Sequence, residues 1–464
     1  ALVSSGDFTL GLARAAVGTA VRCPMNRNNT RTRPTTTIST TSFVREKPLP
    51  QSPPPITEGN VIGWIRKNLF SGWFSSILTI LSVYFLYVCL IDFIPWAYGG
   101  NWSAGSLREC LDTNPDVACF SVIGARWRQL LFGFYPSEQY WRPILTFILL
   151  FVSVTPIFAP RFAKYFWFSL IYPGLAVWLL WGGSIWPVFS IYLAFAVSGL
   201  GFYIARNQFK LSSGMSAIVA IISIIIFYLF IASPFIALFK YIFPITLLVI
   251  ESMQFGGFLL SMIVGFSGIA ASFPIGILLA LGRQSDLPLV KMICVGFIEF
   301  IRGVPLITLL FVASVLLNYF LPPGTSFDII VRVIIMVTIF SAAYMAEVIR
   351  GGLAALPVGQ HEASAALGLS YWESQRLIIM PQALKISIPG IVNTFIGLFK
   401  DTTLVSIISL LDPVGLASLI RADQKWNGIY WELYVAIGLM FFVCCFGMSQ
   451  YSQYLERKLK TDNS

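Results

Sequence analysis

Lys400 and Asp401 stand side by side in an apolar stretch, with Thr402 after them and Asn393 before. Charge inside a bilayer is costly, and where it is kept it faces a cavity or a partner. An ammonium, a carboxylate, a hydroxyl and an amide at mid-membrane depth are groups that meet the two ends of a zwitterion. Neighbouring residues diverge by about 100° on a helix, so Lys400 and Asp401 do not aim at one spot. Either one faces a path while the other pairs with a neighbouring helix, or both belong to an ion pair between subunits. Two acid–base pairs at three-residue spacing, Glu347 with Arg350 and Glu299 with Arg302, read as gating or structural pairs. Chemistry of the bond-breaking kind has no signature. GxxxxGK[ST], GxSxG and HExxH do not occur. The one histidine and seven cysteines show no metal-ligand spacing, so no catalytic residue, metal or cofactor is assigned to the chain.

The elements that must position these groups are membrane helices. The chain has 464 residues, 56% of them hydrophobic and 11% charged. Apolar runs of about 18 residues or more recur, each long enough for a hydrocarbon layer of about 30 Å. Backbone in lipid must satisfy itself, which predicts helices. Short alternating strands are missing, which argues against a barrel. The fold class expected is all-α and polytopic, with about ten spans near 76–98, 143–160, 165–182, 186–205, 215–238, 255–281, 304–321, 329–349, 387–411 and 431–450. A helix starting near Ile388 puts Lys400 about 18 Å along it, close to the midplane.

The net charge of +10 is scattered between apolar runs, which reads as orienting loop charge rather than nucleic-acid binding. The Lys and Arg distribution favours cytoplasmic N- and C-termini. Arg283, Lys291, Arg302, Arg350, Arg376 and Lys385 then face inward, and the loop 99–142 faces outward. Cys110 and Cys119 share that loop and are either a disulfide, in an oxidising compartment, or two unpaired thiols. Residues 1–60 are rich in Thr, Ser, Arg and Pro and read as a disordered leader. Residues 61–250 read as an accessory bundle of about five spans, and 251–464 as the working module.

Within that module, "GQHEASAALGLSYWESQRLIIMPQA", Gly359 to Ala383, lies between two apolar runs. Pro357 and Gly368 bound a short helix. Ser370 opens a second, with Glu373 at the capping-box position. Ala363, Ser364, Ala365 and Ala366 form a small-residue face suited to docking in a partner's groove. His361 and Glu362 give it a polar edge.

The spacing of Glu362 and Ala363, Gly368, Ile378 and Pro381 resembles the EAA motif of ABC-importer permease subunits. The longer run through "IPGIVNTFIGLFKDTTLVS" is similar to the histidine/glutamine-type, polar-amino-acid branch, and most of all to M-type permeases of general L-amino-acid uptake systems. "FGFYPSEQYWRPIL" resembles that group too. Ser364 departs from the motif's second Ala, and Met380 from the Leu before Pro. The resemblance implies a five-helix type I importer core behind extra N-terminal helices. It implies a coupling loop over 351–386, with His361, Glu362, Ala363, Ser364, Gly368, Ile378 and Pro381 at the contact. The implied partners are two cytoplasmic ATP-binding subunits, which bind ATP and Mg, and a second related permease or a self-copy. An extracytoplasmic amino-acid-binding protein completes the set. The implied place is a bacterial inner membrane, and the implied substrates are in the glutamate/glutamine/aspartate/asparagine range. The alternative is a self-sufficient ion-coupled secondary transporter, against which the dissimilarity of the two halves counts.

Overall fold

The computed structural model describes residues 61–158, 160–316, 319 and 328–461. The expected leader lies outside them, as does the end of the span expected at 304–321. The described chain is almost wholly helical. Among the described residues, eight helices are long and apolar enough to cross a membrane, or nine if one bent pair counts as a span. The expectation was ten. The span expected at 143–160 falls on an 18-residue apolar helix, Trp141–Phe158, which is not among the eight.

The chain divides into two units after Phe85. α1 (Val61–Asn68) lies in the first and leads into α2 (Trp73–Tyr98), which crosses the boundary, with Thr79 Oγ1 donating to the Leu69 carbonyl at 2.8 Å. α2 has no buried residue and, apart from Asp92 and a few hydroxyl residues, is apolar around its circumference, the composition of a helix that meets lipid.

In the second unit, α3 (Leu107–Thr113) and α4 (Ser121–Phe132) precede four apolar segments. These are α5 (Trp141–Phe158), α6 (Phe166–Trp181), α7 (Trp186–Asn207) and the paired α8 (Ser213–Ile226) and α9 (Ala232–Ile242). A two-stranded antiparallel ribbon, β1 (Gly183–Ser184) on β2 (Thr246–Leu247), ties α6 to the segment after α9 through Gly183↔Leu247 and Ser184↔Thr246.

The core follows. α10 (Gly257–Arg283) packs along α13 (Ile329–Ala354), and α13 packs along α16 (Met380–Asp401). Between α10 and α13 lie α11 (Pro288–Gly303) and α12 (Leu306–Phe311), the latter prolonged as a π-turn to Leu316. α11 and α12 meet at 99°. α14 (Val358–Ala366), α15 (Tyr371–Ser374), α17 (Pro413–Ala422) and α18 (Trp431–Thr461) complete the unit. Lipid tails are as apolar as leucine, so close backbone approach rather than apolar burial holds such helices together. Gly276 shows it: a Cβ there would lie 2.7 Å from the Met345 Cβ of α13. Ser341 donates to Ser272 across the same seam at 3.2 Å.

Candidate functional site

The segment between α13 and α16 is a small folded stub. Pro357 closes the turn after α13 and opens α14. Gly368 ends α14 with φ +70°, a left-handed conformation that glycine adopts without a Cβ penalty. Its N–H donates to the Ala365 carbonyl, and Leu369 N–H to the Ser364 carbonyl. The capping box at α15 is present: Glu373 Oε2 receives the Ser370 N–H at 2.9 Å and its hydroxyl at 2.6 Å. A π-turn, Gln375–Ile379, then leads into α16.

Ser364 is the buried residue of α14. Its hydroxyl donates to the His361 carbonyl at 2.8 Å and accepts from Ser374 Oγ at 2.7 Å, bracing α14 against α15. The Ala-to-Ser departure in the motif is thus a cross-brace. His361, Glu362, Ala363, Gly368 and Pro381 are exposed, and Ile378 is half-buried. Val358, Leu367 and Trp372 are at least 65% exposed, which leaves an apolar surface on a segment held rigid from within.

The second group lies on α16. That helix begins at Met380 rather than near Ile388, so Lys400 and Asp401 occupy its last turn. A 3-10 turn, Thr402–Ile408, continues the chain. Asn393 and Lys400 are exposed and seven positions apart, two turns on one helix face. Asp401 is half-buried. Thr402 is fully buried, and its hydroxyl donates to the Phe399 carbonyl at 2.7 Å. The packing therefore presents Asn393 and Lys400 on one strip and turns Thr402 inward.

Glu347, Arg350, Glu299 and Arg302 belong to one network with Arg283, in which only Glu347 and Arg350 pair as the spacing predicts. Arg350 donates to Glu347 through Nε at 3.2 Å and Nη2 at 3.1 Å, both to Oε2. Arg302 does not take Glu299. It reaches Glu347 at 3.6 Å, while Glu299 pairs with Arg283 at 2.8 Å. The reason is tertiary. The ends of α10 and α13 both lie beside α11, so each α11 side chain has a nearer partner on another helix than on its own.

Cys110 and Cys119 are joined as a disulfide with their Cα atoms 6.0 Å apart. Both are buried beside Trp426, Ile429 and Leu433. The Cys119 N–H donates to Glu432 Oε1 at 2.9 Å, the Leu107 N–H to the Lys425 carbonyl at 2.8 Å, and Arg126 pairs with Asp423. The loop 99–133 is thereby fastened to α17, α18 and their connection.

One polar cluster has no counterpart in the sequence reading. Asp328 caps α13 by accepting the Ile330 N–H at 2.9 Å, and it accepts the Ser252 hydroxyl. Ser252 in turn accepts Trp181 Nε1 at 2.7 Å. With Glu251 and Arg332 these residues line an open cavity of about 530 Å³. The legible signal was Asp328 itself, an acid directly before an apolar run. Burial holds the Tyr135 hydroxyl, which donates to the Leu180 carbonyl at 2.9 Å, up at a pKa of about 12.

The chain is similar to known transport proteins. The family described as binding-protein-dependent transport system inner membrane component matches residues 272–461. The glutamate/glutamine/aspartate/asparagine transport system permease protein BztC of Rhodobacter capsulatus is 52% identical over 437 residues, covering 92% of this chain and 100% of that protein. The inner membrane amino-acid ABC transporter permease protein YhdY of Escherichia coli is 38% identical over 418 residues, covering 89% and 96%. The probable glutamine ABC transporter permease protein GlnP of Bacillus subtilis is 32% identical over 202 residues, 43% of this chain and 90% of its own length.

Proposed function

Because the chain belongs to the family of amino-acid ABC transporter permeases, we propose that it forms the path for polar L-amino acids of the glutamate, glutamine, aspartate and asparagine range. The observation that carries this range is the 52% identity that spans the whole of a permease so named. The ion-coupled secondary-transporter reading gains no support from this membership.

In this reading the α14 stub seats in two cytoplasmic ATP-binding subunits, which hold the ATP and Mg. The rigid bracing of Ser364 and the exposed apolar surface of Val358, Leu367 and Trp372 support it. A segment that must be pushed as a body is useful only if it does not deform. ATP-driven closure of the partners then moves the stub and switches the bundle between its two states. A second related permease, or a second copy, faces this one across the path, and an extracytoplasmic binding protein delivers the substrate. The chain sits in a bacterial inner membrane with both termini cytoplasmic. Lys400 and Asn393, on one strip of α16, meet the substrate, with Lys400 drawing its carboxylate.

The test is uptake by the assembled complex in sealed vesicles with ATP on the ATPase side. Gly368→Asp meets open space, and Asp is among the side chains that visit the left-handed region, so the substitution adds a local strain of about 1–2 kcal/mol at φ +70° without a steric clash. It is expected to insert normally and to lose ATP-driven uptake. Lys400→Ala is expected to lose uptake of glutamate and aspartate more than of glutamine and asparagine. Unimpaired uptake by Gly368→Asp would refute the docking role. An equal effect of Lys400→Ala on all four substrates would remove its carboxylate contact.

A further inference from the structure

Glu347 is the hub of the charged network. Its Oε1 lies 2.8 Å from Arg283 Nη1, at the last residue of α10. Its Oε2 lies 3.6 Å from Arg302 Nη1, near the end of α11, and 3.1 Å from Arg350 Nη2 on its own helix. Arg283 is shared with Glu299, and the Arg302 guanidinium also lies over the Tyr344 ring, 5.5 Å from its centroid. The Glu347 side chain is only 17% exposed. Removing its charge would leave Arg302 and Arg350 facing one another without the carboxylate between them, while Arg283 keeps Glu299.

The position of this hub matters more than its strength. On one side, α13 runs within a few residues into Pro357 and the α14 stub. On the other, α11 turns 99° into α12 across Val304 and Pro305. Pro305 has no N–H, so helical hydrogen bonding is interrupted there and the backbone can bend at small cost. The network thus stands between a segment that is pushed and a joint that can move.

We propose that Glu347 is a positioning residue that clamps the C-terminal ends of α10, α11 and α13 into one block. Displacement of α14 is then carried through α13 to α11 and bends the chain at Val304–Pro305, instead of being dissipated as sliding between helices. This rests on the coupling reading of α14. The neutral isostere Glu347→Gln keeps the shape but releases Arg302 and Arg350, while Arg283 keeps Glu299. The block loosens, and nucleotide turnover no longer moves α11 reliably.

The experiment reconstitutes the full complex and measures amino acid transported per ATP hydrolysed, for wild type, Glu347→Gln, Glu347→Asp and Gly368→Asp. Glu347→Gln is expected to co-purify with the ATP-binding subunits and to hydrolyse ATP. Its transport per ATP should fall about fivefold or more, the size of a lost allosteric coupling. Glu347→Asp should recover part of it. A wild-type ratio in Glu347→Gln would overturn the proposal. So would loss of co-purification, which would make the network a brace for the fold. If Glu347→Gln keeps the wild-type ratio while Gly368→Asp loses uptake, the clamp fails and the docking reading stands. If Gly368→Asp transports normally, both fall.

Discussion

Gly351 and Gly352 are neighbours near the end of α13, yet a methyl group has opposite consequences at the two. A Cβ on Gly351 meets nothing within 4 Å. A Cβ on Gly352 would lie 2.0 Å from Ser387 Oγ and 2.5 Å from the Ala383 carbonyl oxygen of α16, where ordinary contact is 3.4–4 Å. Ser387 Oγ can rotate away, at the loss of its 3.3 Å bond to the Val348 carbonyl, about 1 kcal/mol. The Ala383 carbonyl is backbone and moves only if the two helices separate, and overpacking of this kind costs about 1–3 kcal/mol. Alanine's better helix propensity returns up to about 1 kcal/mol at either site. The net expectation is about 1–3 kcal/mol of destabilisation for Gly352→Ala and a gain of up to about 1 kcal/mol for Gly351→Ala. Thermal unfolding of the purified complex in detergent, followed by size-exclusion fluorescence, should show melting temperatures several degrees apart, on either side of wild type. Adding Ser387→Ala to Gly352→Ala removes the nearer obstacle and should recover part of the loss. A Gly352→Ala protein that melts at or above wild type, with Gly351→Ala no better, would refute the claim that α13 and α16 touch here backbone to backbone.

Asp412 caps α17 by accepting the Gly415 and Val414 N–H groups, and it lies after the apolar span. Burial pushes its carboxyl up to a pKa of about 6, against those hydrogen bonds, which pull the other way. A carboxyl raised in the folded state favours the protonated form. Stability should therefore decline as pH rises from about 4 to about 6 and stay reduced above that, by about 3 kcal/mol at most; Asp412→Asn should flatten this slope in melting curves, and an unchanged slope would clear Asp412 of it. The Cys110–Cys119 link closes a loop nine residues in separation, which corresponds to about 2–3 kcal/mol of chain-entropy stabilisation. Cys110→Ser with Cys119→Ser should lower the melting temperature and abolish the shift in gel mobility on reduction, and identical mobility of reduced and unreduced wild type would show the thiols to be free.

Much of the stub between α13 and α16 was legible because its determinants are local. Pro357, Gly368 and the Ser370–Glu373 capping box act within a turn of themselves, and the structure has each where the spacing put it. The charged network was only half legible. Three-residue spacing identified Glu347 with Arg350, because that geometry is a property of one helix. The same spacing misdirected Glu299 and Arg302, whose partners sit on α10 and α13. The depth of Lys400 was read from a helix start near Ile388. The helix expected to open at Ser370 does open there, but it continues through a π-turn into α16, so no new helix starts near Ile388.

The sequence by itself determined the membrane class, the helical fold and the stub, because apolar run length and turn chemistry are set by short stretches of chain, and it carried the permease family through the resemblance of the run around Glu362 and Gly368. Only the tertiary structure decided which of two adjacent glycines carries a helix crossing, that Thr402 turns inward, and that Glu347 joins three helices. Those depend on which side chains meet across a seam, and residues far apart in sequence are brought to such a seam only by the packing of whole helices.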